Sequence, residues 1–107
     1  MEKIVILPAL ENKLFDLIFI LYDKEYFGFA ENAIAYVDNI IDFIYTIPRL
    51  KHKKTKNSKY GPYYCSYKAN AATTWFICFD FEDDVYLIKN ITNNHSEDYT
   101  LITTVQL

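Results

Sequence analysis

The sequence predicts an α+β fold: an N-terminal strand, an αα-hairpin, then an antiparallel three- to four-stranded sheet. Apolar residues recur at helical spacing through the first half of the chain. After Gly61-Pro62 the pattern changes to runs rich in Tyr, Phe, Trp, Ile and Thr, which is strand chemistry. Only two Gly and three Pro interrupt 107 residues, leaving little room for long structureless stretches. That length suits a single domain over 1–107. An apolar share of 51% with 18% aromatics excludes a disordered chain.

Lys3 to Leu7 is a short β-branched run ended by Pro8, and it reads as the first strand. Pro8 suits the first turn of a helix, and Leu10, Leu14, Leu17, Ile18 and Leu21 then form a stripe to Asp23. Glu25 to Phe29, with Gly28 inside it, breaks the pattern as a turn. A second stripe follows in Ala30, Ala33, Ile34, Val37, Ile40, Ile41 and Ile44, and Pro48 stops it, because proline disfavours α geometry at the residue before it. Arg49 to Tyr60 is a basic, exposed connector. Tyr63–Lys68, Thr73–Phe81 and Val85–Thr92 make a three-stranded meander, with turns at Lys68–Ala72 and Glu82-Asp83-Asp84. In the tail, His95–Tyr99 suits a helical turn and Thr100–Val105 has strand composition. Helices on one sheet face would leave the other face free to bind something.

Turns centred near Ala71-Ala72 and Glu82-Asp83 set Lys68 opposite Trp75 and Trp75 opposite Asn90. Lys68, Ser66, Trp75 and Asn90 then share a face, an arrangement that a one-residue slip reverses. The same register sets Cys65 opposite Cys78, within reach of a cross-strand disulfide under oxidising conditions. In a reducing compartment both are expected as free, buried thiols. Trp75 could stack an RNA base, but a lone strand tryptophan more often packs against helices, and core is the expectation.

Charge is distributed unevenly. The net charge is −3, yet all 14 acids lie in 1–42 or 80–107. The window from Phe43 to Phe79 holds no acid and carries Arg49, Lys51, Lys53, Lys54, Lys56, Lys59 and Lys68. A segment of this kind creates a local positive field that attracts phosphate even on an anionic molecule. Two cysteines and two scattered histidines make neither a disulfide framework nor a zinc site, so no metal or cofactor is expected. No secretory signal is visible, and the apolar run Leu14–Tyr22 is shorter than the ~20 residues of a membrane span. A cytoplasmic protein without membrane contact is the expectation.

The order strand, helix, helix, strand, strand, strand resembles the RelE/ParE family of toxins from bacterial type II toxin–antitoxin systems. Local stretches agree along most of the chain. Ile47-Pro48-Arg49-Leu50 leads from the hairpin into the basic loop. Thr74-Trp75-Phe76-Ile77-Cys78-Phe79 sits where the family has its central strand. Tyr86 to His95 (YLIKNITNNH) sits where its last core strand runs into a catalytic or binding residue. The resemblance implies a RelE/ParE-like toxin domain neutralised by a cognate antitoxin. The RelE branch cleaves mRNA on the ribosome, so an mRNA endoribonuclease is the first expectation. The ParE branch poisons DNA gyrase, so a non-catalytic gyrase inhibitor is the alternative, and a detoxified protein-binding module of the same fold is the third.

Metal-free RNA cleavage by 2′-OH attack needs a base, cations for the phosphorane, and an acid for the leaving 5′ oxygen. The resemblance assigns the acid/base role to His95, assisted by Tyr99; the chain itself offers Lys68 and Lys89 as strand cations, against the ordinary alternative of solvent-facing charges. Arg49, Lys51, Lys53, Lys54, Lys56 and Lys59 would bind RNA phosphate, against the ordinary alternative of a solvated connector. Tyr60, Tyr63 and Tyr64 would contact the antitoxin. His52, amid lysines, reads as loop. RelE-like enzymes usually place an arginine on the central strand, where this chain has Trp75; its only arginine is Arg49. That departure favours a protein-binding inhibitor slightly.

Overall fold

The computed structural model describes residues 3–23, 30–55, 59, 61–71 and 73–95. Strand β1 (Lys3–Ile6) leads into helix α1 (Pro8–Asp23), helix α2 (Ala30–Ile44) and a 3-10 turn (Ile47–Arg49). Strands β2 (Lys53–Lys54), β3 (Tyr63–Lys68), β4 (Thr74–Glu82) and β5 (Val85–Asn93) follow. Pro8 opens α1 where its missing N–H costs nothing, and the Ile47–Arg49 turn carries Pro48 past the end of α2. The turn expected at Glu25–Phe29 and the tail beyond His95 lie outside the described residues.

The strands form one five-stranded sheet in the order β1-β5-β4-β3-β2. The α+β class holds, but the sheet is larger than three to four strands and mixed. β1 runs parallel to β5, with Lys3 opposite Val85 and Ile6 opposite Ile88, while the other pairs are antiparallel. Parallel neighbours need a long crossover, which the helical hairpin and the meander together provide. The pairing with β1 ends at Ile88, opposite Ile6, while β5 continues to Asn93. Beyond that point the Lys13 ammonium reaches over from α1 and donates to the Ile91 carbonyl at 2.7 Å.

The β3–β4 register differs by one residue from the expected one, and across β4–β5 Trp75 faces Asn93 rather than Asn90, which pairs with Cys78 on the other face. Asn70 Oδ1 accepts the Thr73 N–H at 2.9 Å, and the Ala69 N–H donates to the Thr73 carbonyl at 3.0 Å. These bonds close a loop with an odd number of residues, so Lys68 faces Thr74 and Tyr67 faces Trp75. At the next hairpin Asp83 and Asp84 take φ of 52° and 64°, the paired left-handed pattern of a two-residue turn, and Glu82 meets Val85. A bulge then leaves Lys89 extra: Phe79 pairs with Ile88 but Cys78 with Asn90.

Trp75, Ile77, Phe79, Cys65, Tyr86, Ile88 and Ile91 accordingly share the helix-facing core with Leu10, Leu14, Val37, Ile40, Ile44 and Ile47. The Trp75 indole N–H donates to the Tyr36 hydroxyl at 2.9 Å, tying β4 to α2 with a partner for its one polar atom. Lys68 and Ser66 do not share a face with Trp75, and Cys65 and Cys78 do not meet. Cys65 faces Ile77 and Cys78 faces Tyr64, so the thiols lie on opposite sides of the sheet and cannot form the disulfide.

The face away from the helices is not open along its length. Tyr64, Phe76 and Cys78 form a second buried cluster, and Thr92, opposite Phe76, is buried beside them. Ser66 and Lys68 are exposed toward one end. Among the described residues no helix is long and apolar enough to cross a membrane.

Gly61 leads the chain into β3 at φ 123°, a conformation that disfavours side chains. A Cβ there would sit 3.1 Å from the Phe79 backbone nitrogen. Gly61→Ala should lower stability by about 1–3 kcal/mol. Urea unfolding monitored by Trp75 fluorescence measures this, and an unchanged midpoint would contradict the strain.

Candidate functional site

The sheet distributes the expected site residues rather than gathering them. Lys68 ends β3, exposed and opposite Thr74. His95 lies at the same end of the sheet, just past β5: its Nε2 is 3.0 Å from the Thr73 hydroxyl and its backbone N–H donates to Asn93 Oδ1 at 2.9 Å. Thr74 and Asn94 complete the corner. The Thr74 N–H donates to Asn94 Oδ1 at 3.0 Å, and the Asn94 N–H returns a bond to the Thr74 carbonyl at 3.1 Å. Three polar side chains, Thr73, Asn93 and Asn94, thus organise this corner around an exposed imidazole, at the end of the sheet where Lys68 also stops.

The remaining cations lie elsewhere. Lys53 and Lys54 form the two-residue edge strand β2, opposite Tyr64 and Tyr63, and both are exposed. From Tyr64 to Lys68 along β3 is about 13 Å at the usual strand rise. Lys51 and Lys59 are exposed, and Arg49 is exposed at the end of the 3-10 turn. Lys89 is exposed at the β5 bulge, midway along the strand. Lys56, Tyr60 and Tyr99 lie outside the described residues. Short edge strands built from lysine also keep a sheet from pairing with other chains, so Lys53 and Lys54 have a structural use whatever they bind.

Two aromatic assignments change. Tyr64 is buried, 5% exposed, in the second cluster, so it offers no surface to a partner as the sequence suggested. Tyr63 is half-buried and stacks on Phe79, with centroids 5.9 Å apart. Strand alternation turns one ring to each side of the sheet, and each side has a buried cluster to join.

His52 is the residue that sequence reasoning missed. Far from being loose in the loop, its ring packs edge-on against Phe79 at 4.9 Å and within 5.7–6.2 Å of Tyr86, Phe81 and Tyr63. Its Nε2 lies 3.2 Å from the Ile47 carbonyl. The basic connector therefore crosses under one end of the sheet with His52 as its anchor. No spacing rule signals this; the only hint is the surplus of aromatics on the flanking strands. His52→Ala should destabilise the fold by about 1–3 kcal/mol, mainly through the unfilled cage, since the Ile47 carbonyl keeps the Leu50 N–H as a donor at 3.0 Å. Chemical denaturation measures the loss.

Cys65 donates weakly to the Lys51 carbonyl at 3.7 Å. Burial pushes its thiol up from 9.0 to about 11, with the Lys53 ammonium pulling the other way. In the unfolded chain the thiol ionises near its ordinary value, while in the folded protein it stays neutral. Stability is therefore fully present below about pH 9 and falls as pH rises from there toward 11. Urea midpoints at about pH 8 and about pH 10 should drop more for the native sequence than for Cys65→Ala. Equal drops would remove this account.

No group of three or more His, Cys, Asp or Glu among the described residues could hold a metal. A scan of protein-family models, a search of curated proteins and a search of solved structures each returned no match.

Proposed function

We propose that this chain is the toxin of a bacterial type II toxin–antitoxin pair, of RelE/ParE type, acting as an mRNA endoribonuclease and silenced by a cognate antitoxin. The observation that supports it most is the element order, two helices between a first strand and a β-meander, joined to an acid-free basic window that puts Lys53 and Lys54 on one sheet edge. RNA would lie along β3, its phosphates held by Lys53 and Lys54 at one end. Lys68 and His95 would address the scissile phosphate at the other, with His95 exchanging the proton and Lys68 offsetting charge on the phosphorane. The free antitoxin should be acidic and should cover the lysine edge.

The buried centre of the second sheet face favours one competing reading. With Tyr64, Phe76 and Cys78 buried, the described residues leave the centre of that face without exposed apolar side chains for a nucleic acid strand, and a non-catalytic inhibitor of gyrase needs none there. Both readings predict growth arrest when the chain is expressed without its partner. If the first holds, transcripts are cut, and His95→Ala lowers cleavage by about 10²–10⁴-fold while the fold is kept. Intact transcripts together with lost supercoiling by purified gyrase would replace it with the second. Harmless overexpression would leave only a binding module.

A further inference from the structure

Arg49 is the chain's only arginine, and the fold separates it from the lysines next to it in sequence. Lys53 and Lys54 lie on β2, at one edge of the sheet, whereas Arg49 shares a cleft with the start of β1, the opposite edge. Four strand spacings, about 19 Å, separate the two edges. Lys3, Ile4, Tyr45, Pro48 and Arg49 line this cleft, with a volume of about 360 Å³. It brings together an exposed guanidinium, an exposed ammonium and a phenol that is 57% exposed, from two separate parts of the chain, the start of β1 and the segment that follows α2.

No acid is among the cleft's described lining residues. Asp42 and Asp84, the acids nearest in sequence to Tyr45 and to the strand paired with Lys3, are not part of its walls. Among the described residues, neither the Lys3 nor the Arg49 side chain is engaged in a hydrogen bond or ion pair. Two cations lining one concave spot repel each other, and an anion between them relieves this. The guanidinium fork matches two oxygens of a tetrahedral anion, the ammonium meets a third, and the Tyr45 hydroxyl can donate to the same group. Ile4 and Pro48 supply an apolar flank on which the rest of a larger ligand can rest.

We propose that this cleft is a phosphate-binding site, built by Arg49, Lys3 and Tyr45, that takes a phosphate of a nucleic acid backbone. It is distinct from the Lys68–His95 corner and needs no catalysis, so it holds equally for a toxin or an inert binding module.

Because Arg49 is the only arginine, its Nε–H gives one side-chain resonance in a ¹⁵N-labelled sample of the whole chain. Inorganic phosphate and a short single-stranded RNA are titrated separately at constant ionic strength, with chloride as the control. A saturable shift of the Arg49 Nε–H and the Lys3 and Ile4 amides with both ligands is the expected result. Lys3→Gln and Tyr45→Phe, with amide spectra otherwise unchanged, should weaken binding by up to about tenfold each. Saturation by phosphate alone, with RNA moving only β2 and β3 signals, would overturn the nucleic acid assignment and leave a free-phosphate site. Shifts no larger than those with chloride would overturn the site altogether. None of these outcomes depends on whether expression arrests growth, so the toxin reading can fail while this one stands.

Discussion

The register in which β4 sits between β3 and β5 governs what this molecule can present to solvent. Side chains alternate across a sheet, so one step of slip exchanges the two faces. Asn70 closing its loop on Thr73, the paired left-handed aspartates at 83 and 84, and the bulge at Lys89 fix that step together. They deliver Trp75, Ile77 and Phe79 to the helices and Phe76 and Cys78 to the other side. Each device is local, costs little by itself, and settles the placement of nine residues of β4.

The helices were legible because their signal is redundant. Leu10 and Leu14 on α1, and Ala33, Val37, Ile40 and Ile44 on α2, repeat the same face over several turns, and Pro8 and Pro48 mark boundaries by covalent geometry. Ile34 sits on the same stripe yet is 43% exposed, which shows that periodicity defines a face but not its margins. The strands were also legible as segments, since β-branched and aromatic residues cluster between turn formers. Their pairing was not. Whether a loop holds four or five residues depends on one side-chain bond from Asn70, and no composition rule reveals a bulge at Lys89. β1 was legible as a strand but its parallel pairing with β5 was not, for a related reason: Lys3 and Val85 are far apart in the chain.

The candidate site was half legible for electrostatic reasons. An acid-free run of lysines shows in the sequence, but a run does not become a patch unless the fold keeps it together. Here Arg49 goes to one edge of the sheet, Lys53 and Lys54 go to the other, and Lys68 is carried to the end where His95 waits. His52 is the opposite case. Its sequence neighbours are charged, yet its spatial neighbours are Tyr63, Phe79, Phe81 and Tyr86, because the connector must cross the sheet and something has to fill the gap beneath it. Packing around a crossing segment is a three-dimensional demand, and sequence order carries little trace of it.

The parallel pairing of β1 with β5 has a consequence for how the chain is made. During synthesis the helical hairpin can form as soon as it emerges, because its contacts are local. β1 has no neighbour until residues 85–88 have been added, so the first strand translated is among the last to find its place. Until then its apolar residues Ile4, Val5 and Ile6 have no hydrogen-bonded strand beside them. A ribosome that stalls before Val85 would therefore release a chain with a formed hairpin, an unclaimed sticky segment, and a strong tendency to be captured by chaperones or degraded.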